Sequence, residues 1–138
     1  MKNDPEDPKQ IMTKTLKSFV VPEIKALNYS GSFPHFRRER DGRFEFVSFQ
    51  FNRHGGSFVL ECGFATPHDL PDFAKKLQFE KLTSGNAHPD NRLRITPKTS
   101  VTEDFWFAYS EFKEEKQFEN LAKSLIPLLP NIEKFFRN

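Results

Sequence analysis

Residues 33–64, FPHFRRERDGRFEFVSFQFNRHGGSFVLECGF, constrain the fold more than any other part of the chain. Aromatic and polar residues alternate through the stretch, and two turn signals, Asp41-Gly42 and Gly55-Gly56, divide it into three. A period of two fits strand, because successive side chains of a strand point to opposite faces. Asp-Gly between two such runs is the strongest short hairpin signal, since a two-residue turn needs the positive φ that glycine adopts freely. Residues 33–39, 43–52 and 57–64 are therefore expected as a three-stranded meander, antiparallel because connections this short allow nothing else. In the second strand Val47, Phe49 and Phe51 should face the main core, with Phe44, Phe46, Ser48 and Gln50 on the other side. In the third, Phe58, Leu60, Cys62 and Phe64 share one face.

Helical patterns flank the meander. Asp7-Pro8 reads as an N-cap followed by proline at the first helical position. Met12, Leu16, Phe19, Val20, Ile24 and Leu27 then recur at steps of three and four, with Pro22 set to kink or split the helix. Near the other end, 114–136 carries the stripe Phe118, Leu121, Ala122, Leu125, Leu129, Ile132 and Phe136, broken into two pieces around Pro127 and Pro130. Between these regions, 66–71 and 84–91 read as loops, and 72–82 as a short helix with Phe73 and Leu77 four apart. Residues 92–96 and 105–110 read as two further strands. The order predicts an α+β fold: an antiparallel sheet of about five strands with the N- and C-terminal helices packed on one face. Residues 1–7 are expected as a disordered leader and 8–138 as a single domain.

Charge and motifs narrow the function. Lys and Arg number 21 against 19 Asp and Glu, so a net charge of +2 gives no support to nucleic-acid binding. GRFEFVSF at 42–49 resembles an RNA-recognition strand in its aromatic spacing. The Arg-Gly order is reversed, however, Glu45 stands where a small residue is needed, and the strand–helix–strand order is missing. The 17 phenylalanines are read as core. Cys62 is the lone cysteine, which precludes an internal disulfide and fits a reducing compartment. With a polar, acidic N-terminus and no apolar run of about 18 residues, a cytoplasmic protein without a membrane span is expected. Asn28-Tyr29-Ser30 matches a glycosylation acceptor by chance in that setting.

No metal-binding histidine spacing, nucleophile elbow, P-loop or dinucleotide fingerprint occurs, so the reading leans away from an enzyme and implies no cofactor or metal. His35, His54, His68 and His88 are placed in or beside loops, and Cys62 among buried apolar residues. Four arginines fall within seven residues (Arg37, Arg38, Arg40, Arg43), with Arg37 on one face and Arg38 and Arg40 on the other. They are either edge charge paired with Glu39, Asp41 and Glu45 or an anion-docking patch. The sheet face opposite the helices supplies the candidate binding set: Arg37, Phe44, Phe46, Gln50, Glu61, Arg92, Arg94 and Trp106. Rings with a few convergent polar groups suit a binding surface. Equally, the 66–91 segment can fold over that face.

Three blocks carry a resemblance to a known family: SFPHFRR at 32–38, FQF at 49–51, and GGSFVLE at 55–61. NRLR at 91–94 and DFWF at 104–107 extend it. Together they resemble DUF4304, an uncharacterised bacterial domain-of-unknown-function family, over about residues 14–136. The resemblance implies a bacterial, cytoplasmic protein and carries over no catalytic residues. Small α+β families of this kind include immunity proteins against toxins, an analogy of fold alone. The expected function is a non-enzymatic protein-binding module, with Phe44, Phe46 and Trp106 as anchors. Two other readings stand beside it: a small-molecule-binding protein or weak hydrolase with its site under the 66–91 segment, and a structural subunit of a homo-oligomer.

Overall fold

The structure, a computed structural model, describes residues 6–95, 97 and 106–137. The expected leader lies outside them apart from Glu6 and Asp7, as do Thr96 and Phe105 at the ends of two expected strands.

Helix α1 (Pro8–Phe19) starts where the sequence predicts. The Asp7 carboxylate accepts the Gln10 N–H at 2.9 Å, while Gln10 Oε1 accepts the Asp7 N–H at 3.1 Å. This reciprocal box satisfies two donors that a helix start leaves open. Pro22 ends one helix and opens the next, α2 (Val21–Ala26), in whose first turn a missing N–H costs nothing. Met12, Leu16, Val20 and Ile24 form the buried stripe of the pair.

The described residues form six strands: β1 (Ser30–Ser32), β2 (His35–Arg40), β3 (Arg43–Phe51), β4 (Ser57–Ala65), β5 (Arg92–Ile95) and β6 (Phe107–Ala108). They make one antiparallel sheet in the order β1-β2-β3-β4-β5, with β6 also paired to β4. The turn between β2 and β3 has positive φ at both Asp41 (55°) and Gly42 (75°). That geometry fixes the register at Arg40↔Arg43 and everything behind it. One expectation needs correcting. The first long strand, expected from residue 33, begins at His35, and Ser30–Ser32 before it forms a short edge strand. Pro34 has no N–H to give a ladder, so the chain turns there and lays β1 back on β2.

The main core lies between the helices and the sheet face formed by Phe36, Val47, Phe49, Phe58, Leu60, Cys62 and Ile95. Over it pack α1, α2, α4 (Glu115–Leu125) and α5 (Leu129–Arg137), the last two separated by a tight turn containing Pro127. Pro130 sits in the first turn of α5, where proline is tolerated.

The 66–91 segment departs from expectation. Helix α3 (Asp72–Lys75) is one turn long, and a separate tight turn follows at Phe79–Lys81. Phe73 and Leu77 point outward, 66% and 42% exposed. The segment is instead held by Leu70, Ala74, Leu82 and Ala87, which bury against Phe46 and Ala65 on the face away from the helices, flanked by Phe44 and Phe79. Gly63 permits this approach: a Cβ there would stand 2.9 Å from the Cβ of Ala87.

Candidate functional site

The alternation places β2, β3, β4 and β5 members of the candidate set on the outer face, and the 66–91 segment divides them. Phe46 is fully buried beneath that segment, and the Phe44 ring lies 5.1 Å from the ring of Phe79. Arg37, also buried, donates from Nε to Leu82 O at 2.7 Å, and Arg92 donates from Nε to Ala87 O at 2.8 Å. These four residues fasten the segment to the sheet, Phe46 and Arg37 buried and Phe44 and Arg92 partly so. Of the two arrangements expected for this face, the covered one holds over Phe44 and Phe46, since burying aromatic area at about 25 cal/mol per Å² favours it. Between the segment and the sheet, Phe44, Phe46, Leu70, Ala74 and Leu82 pack together.

The other half of the face carries a polar rung that crosses four strands: His35 opposite Ser48, Ser48 opposite Glu61, and Glu61 opposite Arg94. Directly opposed side chains on one face lie within reach of each other. His35 Nδ1 is 2.9 Å from Ser48 Oγ. Ser84 Oγ donates to Glu61 Oε1 at 3.1 Å, and Arg94 Nε is 3.9 Å from Glu61 Oε2. The Arg94 guanidinium lies 5.4 Å from the centre of the Trp106 ring system. Gln50 is exposed beside the rung, whereas Glu61 is mostly covered.

His35 and Ser48 were missed as partners. Of the four histidines, His35, inside the expected 33–39 strand, opens β2. Counting back from Arg40↔Arg43 puts it opposite Ser48, so the signal lay in the turn. Burial, and secondarily the charge of Arg37, hold the His35 ring below its ordinary pKa. A hydroxyl bonded to imidazole is half of a nucleophilic pair. Ser48 is buried, however, and Glu61 stands on its other side and not behind His35. Cys62 faces the opposite core, its thiol pushed up by burial and then by Glu61. His68 and Asp69 are exposed.

On the helix side, Arg38, Arg40 and Arg43 surround Glu45, which is fully buried. Arg38 Nε donates to Glu45 Oε1 at 2.7 Å, and Arg40 and Arg43 donate to Oε2 at 3.2 and 2.9 Å. Glu133 of α5 joins from far along the chain, accepting from Arg38 at 2.6 Å and Arg40 at 3.1 Å. Arg38 also donates to Leu27 O at 2.6 Å, at the end of α2, and Arg43 donates to Phe136 O. Burial alone would raise the Glu133 pKa, but the hydrogen bonds and charges of Arg38 and then Arg40 hold it below the ordinary value. The expected pairing with Glu45 is thus present, buried beneath the hairpin. It rivets the hairpin to the helices, and Glu39 and Asp41 take no part among the described residues.

Two clefts adjoin this network. One, of about 520 Å³, lies between the β2–β3 turn and the end of α5. The other, about 480 Å³, is an apolar groove between α2 and α5. Arg137 lines both.

Among the described residues no three or more His, Cys, Asp or Glu side chains gather as a metal site requires. Among them, too, no helix is long and apolar enough to cross a membrane. The sequence pattern described as a domain of unknown function, DUF4304, matches residues 20–134. No curated protein and no solved structure matches the chain.

Proposed function

The chain belongs to the DUF4304 family, whose description assigns no activity, and from the outer sheet face we propose that it is a non-enzymatic protein-binding module. The observation that carries this reading is the pairing of Arg94, 40% exposed, with Trp106 beside Glu61. Tryptophan and arginine dominate the energetics of protein interfaces. Glu61, held by Ser84, and exposed Gln50 supply polar contacts around them. The side chains best suited to nucleophilic chemistry, Ser48 and Cys62, are buried. That supports recognition over catalysis.

The test is Trp106→Ala combined with Arg94→Glu, compared with the parent in crosslinking capture from cells that express the protein. The partner recovered with the parent should fall by about tenfold or more, equivalent to about 1.4 kcal/mol, with the thermal midpoint unchanged. Identical recovery by parent and variant would overturn the reading. Arg37, an attractive target from sequence, does not suit this test, because its removal would strand Leu82 O beneath the 66–91 segment.

A further inference from the structure

We propose that the cleft between the β2–β3 turn and the end of α5 binds an oxyanion, the carboxylate or phosphate group of a ligand. Arg40, Arg43 and Arg137 line it, together with Thr66 and Gly42. Asp41 and Glu45 line it too. Asp41 sits at the exposed turn, and the Glu45 carboxylate is already claimed by three guanidiniums. Counting Arg38 and Glu133, which complete the network, four arginines (Arg38, Arg40, Arg43, Arg137) face three acids (Asp41, Glu45, Glu133), leaving one positive charge.

The arginines are prepared for a further acceptor. Arg43 commits only Nη2, to Glu45 and Phe136 O, so its Nε and Nη1 hydrogens donate to none of the described residues. Arg40 bonds through Nη1 and Nη2 and keeps Nε uncommitted among them. Both guanidiniums are also held in place. Arg43 lies 4.5 Å over the Phe64 ring and 5.9 Å from the Phe136 ring, and Arg40 is clamped by Glu45 and Glu133. Arginine presents planar, spaced donors that match the oxygens of carboxylate and phosphate. Side chains fixed before the ligand arrives lose little entropy on binding it. Partial burial, with Arg43 25% and Arg40 33% exposed, strengthens each contact relative to open solvent. The Phe136 carbonyl would repel an anion at this helix end, but Arg43 caps it.

The experiment is an amide-shift titration of the full chain with inorganic phosphate and, separately, with acetate, at ionic strength held constant by chloride. Saturable shifts at Gly42 and Thr66 are expected. Saturation by phosphate alone identifies a phosphorylated ligand, and saturation by acetate identifies a carboxylate. Arg43→Lys keeps the charge but loses the planar donors, and Arg137→Ala removes an exposed side chain that the fold does not need. Each should weaken binding by about tenfold or more. If Arg43→Lys fails to fold, Arg137→Ala decides alone. The proposal is overturned if neither anion gives a saturable shift, or if binding survives in every folded variant of the pair.

Discussion

Glu45 has no exposed surface and three guanidinium partners, which makes it the side chain whose loss the molecule can least absorb. A buried ion network gains little over a well-packed apolar cluster of the same shape, but removing one partner leaves the others charged and unpaired. Glu45→Gln keeps the volume and removes the charge, stranding Arg38 between Glu133 and an amide. The expected loss is about 3–5 kcal/mol of unfolding free energy, read from urea denaturation. A loss below about 1 kcal/mol would show that Glu133 holds the arginines unaided. From the sequence, Glu45 was recognisable as a partner of these arginines because it lies one hairpin away. Glu133 was not, because nothing local in its helix points to the sheet.

At the scale of elements, the meander was legible and the 66–91 segment was not, for one physical reason. Strand register between β2 and β3 is fixed locally, by a two-residue turn and alternation, so Val47 and Phe46 could be assigned to opposite faces without knowing what covers either. What covers Phe46 depends on distant contacts: Gly63 admitting Ala87, and Arg37 and Arg92 reaching two carbonyls of the segment. The Phe73–Leu77 spacing misled because four-residue spacing promises a stripe only when the helix lasts, and α3 is four residues long. Leu82, 2% exposed, anchors the segment while Phe73 does not. Leu82→Ala should cost about 2–5 kcal/mol and raise amide exchange across 70–87, whereas Phe73→Ser should change stability by less than about 0.5 kcal/mol. Equal effects of the two substitutions would mean that Phe73 is the true anchor.

Taken whole, the sheet separates two kinds of charge. Its helix face carries the arginine–glutamate network around buried Glu45, and its outer face carries the His35–Ser48–Glu61–Arg94 rung. Two titrating groups, one from each face, tie stability to pH with the same sign. His35 is held below its ordinary value of 6.5 by burial and then by Arg37, so the fold prefers its neutral ring. That preference stabilises fully above 6.5 and is lost as pH falls through the unfolded value toward the lower folded one. Glu133 is held below 4.5 despite its burial, because Arg38 and Arg40 favour its charged form. Its contribution is likewise present above 4.5 and lost as acid protonates it in the folded state. Unfolding free energy measured by urea from about pH 8 to about pH 3 should therefore decline in two stages. The first begins below 6.5 and the second below 4.5. His35→Gln should remove the first stage and leave the second, while Glu133→Gln should do the reverse from a lower starting stability. A decline unchanged in both variants would assign acid sensitivity to other groups and detach the rung and the network from the stability of the fold.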